Sequence, residues 1–430
     1  MDIFSIITIL VVLSSIFAYI NVRFLRLPST IGLMIMAIAL TLIIILVGTF
    51  NAQVTNSAES VMRSIDLSGL ILDVLLSFLL FAGALHTDWG RLKEQAAPII
   101  TLATIGVLVS TFVVGGIFFW VSNHIIGYEI PFIHCLLFGA LISPTDPIAV
   151  LGILKKIGVP KQLEVKFVGE SLFNDGVGVV IFLTLFSIAD RGLENVGASE
   201  IALLFAEEVF GGIGLGLVLG YVTLQLTRTI DDYETEVMIT LAIVMGGYLL
   251  ASTLHFSGPL AVVVAGLFIG NSARETAMSE TTRTYLDRFW ELVDVLLNAV
   301  LFVLIGLELL IISFESSYLI AGVIAIPVVL LSRYLVLKAP ISFFKDKLNF
   351  VPRTDLIMTW GGLRGGISIA LALSLTNAMD REYLLTVTYI VVVFSIIVQG
   401  LTVERLIKRL GVMGSPQVSS EVENKEATSH

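Results

Sequence analysis

Charge is scarce in this sequence and cysteine is almost absent. Only 14% of the 430 residues are Asp, Glu, Lys or Arg, against about a quarter in soluble domains. A single cysteine, Cys135, excludes an internal disulfide framework and a thiolate-rich metal site. His86, His124, His134, His255 and His430 show no metal-ligand spacing, and no cofactor is expected. No basic cluster forms a nucleic-acid footprint, so no nucleic-acid partner is expected. The net charge of −10 is dominated by connections and tail and says little about partners. A basic leader is also missing. Ile3 follows Asp2 directly, so the first apolar run is expected to be a retained helix and not a signal peptide.

What stands in place of charge is apolar surface. Hydrophobic residues make up 56% of the chain and the mean hydropathy is +0.96. A core cannot hide that much, so the expected solvent is a lipid bilayer. The apolar runs are each long enough to cross as a helix of about 18–25 residues. They lack the alternation over roughly ten residues that barrel strands show. Charged and turn-rich breaks leave thirteen candidate segments: 3–20, 31–48, 69–86, 96–120, 131–153, 165–189, 200–226, 236–254, 257–271, 289–312, 317–339, 354–377 and 383–406. The more polar stretch 51–68 is expected along the interface, and a further short interfacial helix is expected at 276–287.

Basic residues orient these segments, because cytoplasmic connections are enriched in Lys and Arg. With the N-terminus outside, twenty of the 25 fall on the inner side. Only Arg63, Arg191 and Arg381 fall outside, while Arg333 and Arg364 lie within segments. The expectation is an N-out, C-in, multi-pass protein of the plasma membrane. Residues 411–430 lack apolar side chains to pack and are expected to form a disordered cytoplasmic tail.

Ionisable side chains inside lipid-length segments are costly and mark function by default. Asp146 lies in Ser143-Pro144-Thr145-Asp146-Pro147 of the fifth segment. Each proline removes a backbone donor and clashes with the preceding turn, so two half-helices joined by extended backbone are expected there. Exposed carbonyls at such a break can coordinate a cation. The bland reading is a simple proline kink, which the Asp between the prolines disfavours. Glu170, Ser171, Asn174 and Asp175 lie in the sixth segment. The spacing of four puts Ser171 with Asp175, and Glu170 with Asn174, on shared faces. Polar packing accounts in part for Glu170 and Asn174. Asp175 has no basic neighbour in sequence and suits alternate binding of a proton and a cation. Gly176 and Gly178 leave room for a close neighbour.

In the twelfth segment, Gly361-Gly362-Leu363-Arg364-Gly365-Gly366 points to a second broken helix. The fold expected is an all-α membrane protein of about 13 transmembrane helices. Residues 1–190 form one six-helix repeat and residues 236–409 a second, inverted one, joined by a linking helix at 200–226, with helices 5 and 12 broken. That is the organisation of a secondary transporter with its site at the midplane. Weaker features have ordinary readings. Gly212, Gly216 and Gly220 form a packing stripe, Asp73 and Glu308 lie near a cavity or an interface, and Glu291 and Asp294 lie near the inner interface.

The motifs Ser-Pro-Thr-Asp-Pro-Ile-Ala-Val (143–150), Gly-Glu-Ser-Leu-Phe-Asn-Asp-Gly (169–176), Leu-Phe-Gly-Ala-Leu-Ile (137–142) and Gly-Gly-Leu-Arg-Gly-Gly-Ile (361–367) resemble the NhaP/sodium–proton exchanger branch of the cation–proton antiporters. The resemblance extends over essentially the whole chain. It implies an elevator-like homodimeric exchanger serving pH homeostasis and sodium transport. Asp175 is then the principal cation and proton site, with Asp146, Ser171 and the Thr145 backbone completing the Na+ ligands. Asn174 resembles the residue that marks the electroneutral branch. Glu170 and Arg364 resemble the family's structural ion pair, and Arg333 a further core arginine. Leu80-Phe81-Ala82-Gly83 stands where many bacterial relatives carry an acidic residue in the third helix.

The expected activity is exchange of Na+, with Li+ as a second cation, for H+ by alternating access, with cation and proton competing at Asp175. Potassium/proton exchange is the alternative within the class. An intramembrane aspartyl protease with an Asp146–Asp175 dyad, and a channel, are the readings from other classes. A dyad needs two close carboxylates sharing a proton, and no feature of the sequence marks a peptide path.

Overall fold

The computed structural model describes residues 3–63, 65–146, 148–192, 197–344 and 351–412. Pro147, Lys345, Lys347, Lys425 and the expected tail beyond residue 412 lie outside the described residues. Every regular element among the described residues is helical, as the bilayer requires of a chain that must satisfy its backbone within each segment.

The first elements are α1 (Phe4–Leu25), α2 (Ser29–Gly48) and the short α3 (Ala52–Arg63), followed by α4 (Leu67–Leu85) and α5 (Ala96–Ile126). A divided helix follows as α6 (Phe132–Ile142) and α7 (Ile148–Ile157). Next come α8 (Lys161–Arg191), α9 (Ser199–Thr227), α10 (Tyr233–Thr253) and α11 (Gly258–Phe268). The chain closes with α12 (Glu280–Leu310), α13 (Ser316–Phe343), a second divided helix α14 (Thr354–Gly361) and α15 (Gly366–Leu373), and α16 (Arg381–Leu410). Ten of the described helices are long and apolar enough to cross a membrane. The pieces of the two divided helices are half-length, as the proline and glycine clusters predict.

Local chemistry sets the boundaries. Asp66 caps α4 by accepting from the Gly69 N–H at 3.0 Å, and Asp232 caps α10 through Thr235 at 3.1 Å. Such caps satisfy backbone donors that the first turn leaves free. Ser279 does the same for α12 through the Thr282 N–H at 3.3 Å. This cap corrects one expectation: the stretch 276–287 is no separate interfacial helix, because its larger part forms the first turns of α12. The 12-residue α3 is about 18 Å long, too short to cross a bilayer.

Burial divides the bundle into a centre and a rim. In its most apolar window 61% of α8 is buried, against 11% of α9. Phe4, Phe50 and Phe210 are among the large side chains left on the outer surface, which fits lipid contact. Against α11, α9 packs through its small residues. A Cβ at Gly212 would come within 2.7 Å of the Ser257 carbonyl oxygen, and one at Gly216 within 2.5 Å of that of Ala261. The glycine stripe is therefore a packing surface, as expected. Asp146, Glu170, Asp175, Arg333 and Arg364 gather around α8.

Candidate functional site

The two breaks meet. The Asp146 N–H donates to the Leu363 carbonyl at 2.8 Å, and these residues form an isolated antiparallel bridge. Each break exposes the carbonyls at the end of one half-helix and the N–H groups at the start of the next. Arg364 serves the first set: its guanidinium donates to the carbonyls of Ser143 and Pro144, just beyond α6. Its own N–H donates to Ser395 Oγ at 3.0 Å. In the last turn of α14, the Trp360 carbonyl accepts from Gln399 Nε2 at 2.9 Å. Asp146 lies beside Gly365, at the start of α15, where a helix N-terminus favours negative charge. A Cβ at Gly365 would stand 2.5 Å from Asp146 Oδ2, so the glycine is needed for the close approach.

The middle of α8 packs against the crossing. Gly178 admits the Pro144 ring, whose Cγ would lie 2.3 Å from an added Cβ. Asn174 reads Thr145 twice: its Nδ2 donates to Thr145 Oγ1 at 2.9 Å, and its Oδ1 accepts from the Thr145 N–H at 3.3 Å. Ser171 Oγ donates to the Thr145 carbonyl. Asn174 thus ties both the backbone and the hydroxyl of Thr145 to α8.

The structure pairs Glu170 differently from the expectation. Its carboxylate takes a two-pronged bond from Arg333 of α13, one arm through Nη1 and the other through Nη2 at 2.7 Å. Arg364 is not its hydrogen-bonded partner. The correction has a physical reason, because the guanidinium of Arg364 is already committed to the orphan carbonyls of the first break. The planar fork of Arg333 matches a carboxylate. Glu170 and Arg333 are 1% and 6% exposed, so neither charge is tolerable there without the other.

A cavity of about 810 Å³ runs from one end of the bundle to this crossing. Asp146 and Asp175 line it, together with Leu172, Ala82 and Gly83. Thr145, Ser171 and Asn174 are buried behind that surface. The charged groups acting on Asp175 are Asp146, Glu170 and Arg364. Ala82 stands on the cavity wall and supplies no carboxylate there. Asp287, Glu291 and Asp294 of α12 also line the cavity. Glu291 and Asp294 thus have a more specific place than an interface, and Asp287 joins them. Their spacing of four and three on one helix was the available signal. Asp73 lies outside the lining and bonds the Tyr248 hydroxyl at 3.4 Å. Glu308 is buried away from the cavity.

This arrangement of two crossed divided helices around buried carboxylates, with a cavity ending on them, is that of a membrane transporter. The chain belongs to the sodium/hydrogen exchanger family, whose transmembrane family model matches residues 11–409. It is 47% identical over 416 residues to the Na(+)/H(+) antiporter NhaP of Pseudomonas aeruginosa, covering 96% of this chain and 97% of that one. It is 35% identical over 383 residues to the Na(+)/H(+) antiporter NhaH of Halobacillus aidingensis, covering 87% and 92%. The fold matches the structure of the sodium proton antiporter MjNhaP1 from Methanocaldococcus jannaschii at pH 8. The TM-score is 0.74 at 22% identity, over 96% of this chain and 99% of that one. Members of this family are transporters and not enzymes, so the protease reading falls.

Proposed function

We propose that this protein exchanges Na+ for H+ across the plasma membrane by alternating access, with cation and proton competing for Asp175. The observation that carries the reading is that Asp175, otherwise buried, lines the cavity together with Asp146. The names of the relatives support sodium as the cation. Asp146, Ser171 and the Thr145 backbone are the further ligands proposed for Na+, with Asn174, Glu170, Arg333 and Arg364 holding them in place.

The charge around the crossing suits one-for-one exchange. Arg333 and Arg364 face Glu170, Asp146 and Asp175, so one negative charge remains. One proton or one monovalent cation neutralises it. A bare carboxylate is penalised at low dielectric, so only the occupied site crosses readily, and each passage carries one charge in either direction. Transport is then electroneutral.

The cavity mouth carries Arg91 and Lys161, on the side that the distribution of basic residues makes cytoplasmic. We place the N-terminus outside and the C-terminus inside, with the cavity facing inward. Two inverted halves, residues 1–190 and 236–409, and a homodimer complete the proposed assembly. The test is proton flux in proteoliposomes driven by Na+, Li+ or K+ gradients, with and without an ionophore voltage clamp. Sodium-driven flux that ignores the clamp is expected, and Asp175→Asn should abolish it in a folded protein. Flux driven by K+ alone would replace sodium in the reading, and flux retained by Asp175→Asn would remove Asp175 from it.

A further inference from the structure

At the opposite end of α6 from the crossing lies a second polar cluster. His134, in the first turn of α6, donates from Nδ1 to Asp380 Oδ2 at 2.8 Å. The Tyr128 hydroxyl donates to the other oxygen, Oδ1, at 3.0 Å. His134 is 9% exposed. Asp380 stands in the connection between α15 and α16 with a φ of +54°, a conformation uncommon for a side chain other than glycine and retained where the surroundings hold it. Tyr128 stacks on Tyr383 with ring centroids 4.2 Å apart, and the Tyr383 hydroxyl is 2.9 Å from Ser122 Oγ. The carboxylate is thus gripped from two sides, and one grip is locked by an aromatic stack.

We propose that His134 and Asp380 are a positioning pair for the cation site. The half-helices α6 and α15 are joined near their inner ends by the bond from Asp146 to Leu363. The bond from His134 to Asp380 ties the start of α6 to the connection that leaves α15. The inner end of α6 is also held by Arg364, Asn174 and Ser171, and the bond from His134 to Asp380 adds a polar attachment at the outer end, so that the two ends together fix how far α6 stands along its own axis. That placement sets where the Thr145 carbonyl and Asp146 stand relative to Asp175. The pair therefore acts on cation affinity through α6, without touching the ion. The inference rests on the exchange proposed above.

The test compares His134→Leu, His134→Asn and Asp380→Gly with the unaltered full-length protein in proteoliposomes, measuring sodium-driven proton flux. Asn presents an amide N–H where Nδ1 stood, and Gly accepts the left-handed backbone at no steric cost. His134→Leu and Asp380→Gly should raise the KM for Na+ about three- to tenfold, the size of effect that one ordinary hydrogen bond carries, with the maximal rate within about twofold. His134→Asn should bring KM back to within about twofold of the original. An unchanged KM in either disruptive variant, or a fall in maximal rate and folded yield that Asn does not rescue, overturns the proposal. If the unaltered protein exchanges none of Na+, Li+ or K+ for protons, the functional reading itself fails and this pair with it.

Discussion

The Asp146 N–H reaches the Leu363 carbonyl across 2.8 Å, so a residue of the first break and a residue of the second complete each other's backbone. Elsewhere in a membrane helix both groups would be satisfied within their own segment. Here the bond frees the Asp146 side chain to face the cavity. It also places Arg364, the next residue, against the carbonyls beyond α6. The positive group thus lies at a C-terminal helix end and the negative one at an N-terminal end, the arrangement helix dipoles favour.

Gly365 is the tightest constraint on that arrangement. A Cβ there would lie 2.5 Å from Asp146 Oδ2 and 2.7 Å from its Cβ. Gly365→Ala should displace the Asp146 carboxylate and lower sodium-driven exchange by about tenfold or more, since misplacement of about an ångström carries losses of that order. Initial flux rates in proteoliposomes, normalised to folded protein, provide the check.

The buried pair of Glu170 and Arg333 should behave as a unit. Arg333→Leu leaves an unpaired carboxylate and should lower stability by about 3–5 kcal/mol. Removing both charges with Glu170→Leu and Arg333→Leu together should recover a large part of that loss. Unfolding of the single and double variants in detergent, followed by intrinsic tryptophan fluorescence, measures the coupling.

The breaks were legible in the sequence because their causes are local. Pro144 and Pro147 remove backbone donors, and the glycines flanking Leu363 and Arg364 weaken a helix wherever they occur. Asp146 and Asp175 stood out because lipid-length segments seldom carry carboxylates. Pairing was another matter. Arg333 and Arg364 are both remote from Glu170 in the chain, and nothing near either one says which will face it. Only the fold shows that Arg364 is already held by the Ser143 and Pro144 carbonyls. Asp287, Glu291 and Asp294 were obscured for a related reason, since a charged face at the end of a helix reads as an interface until the cavity beside it is known. The link between His134 and Asp380 joins distant residues of unremarkable spacing, so it too needed the fold.

The acidic wall of α12 should matter most at low salt. Asp287 is held by Arg274 through two bonds, at 3.0 and 2.6 Å, and Asp294 accepts from Asn298 Nδ2 at 3.0 Å; Glu291 and Asp294 are the carboxylates further along the cavity. Negative walls in a narrow cleft concentrate cations, and mobile ions screen the effect over about 10 Å at 0.1 M. Glu291→Gln with Asp294→Asn should raise the KM for Na+ by about two- to fivefold at low ionic strength and by less when choline chloride is added. An effect that ignores ionic strength would point to direct ligation instead.

The competition proposed at Asp175 fixes the sign of the pH dependence. A proton on the carboxylate must leave before Na+ binds, so lowering the pH raises the sodium concentration needed for half-maximal exchange. In the fully competitive range KM should rise about tenfold for each unit of pH lost, the limit for one proton displaced by one cation. At saturating Na+ the rate should change little over the same range, because the cation outcompetes the proton. On the alkaline side KM should level off, and turnover should then fall because the return passage lacks a proton to neutralise the site. Initial rates at equal pH on both faces of the vesicle, across a sodium series, separate the two parameters. A maximal rate that follows pH while KM stays constant would mean that proton and cation occupy different groups.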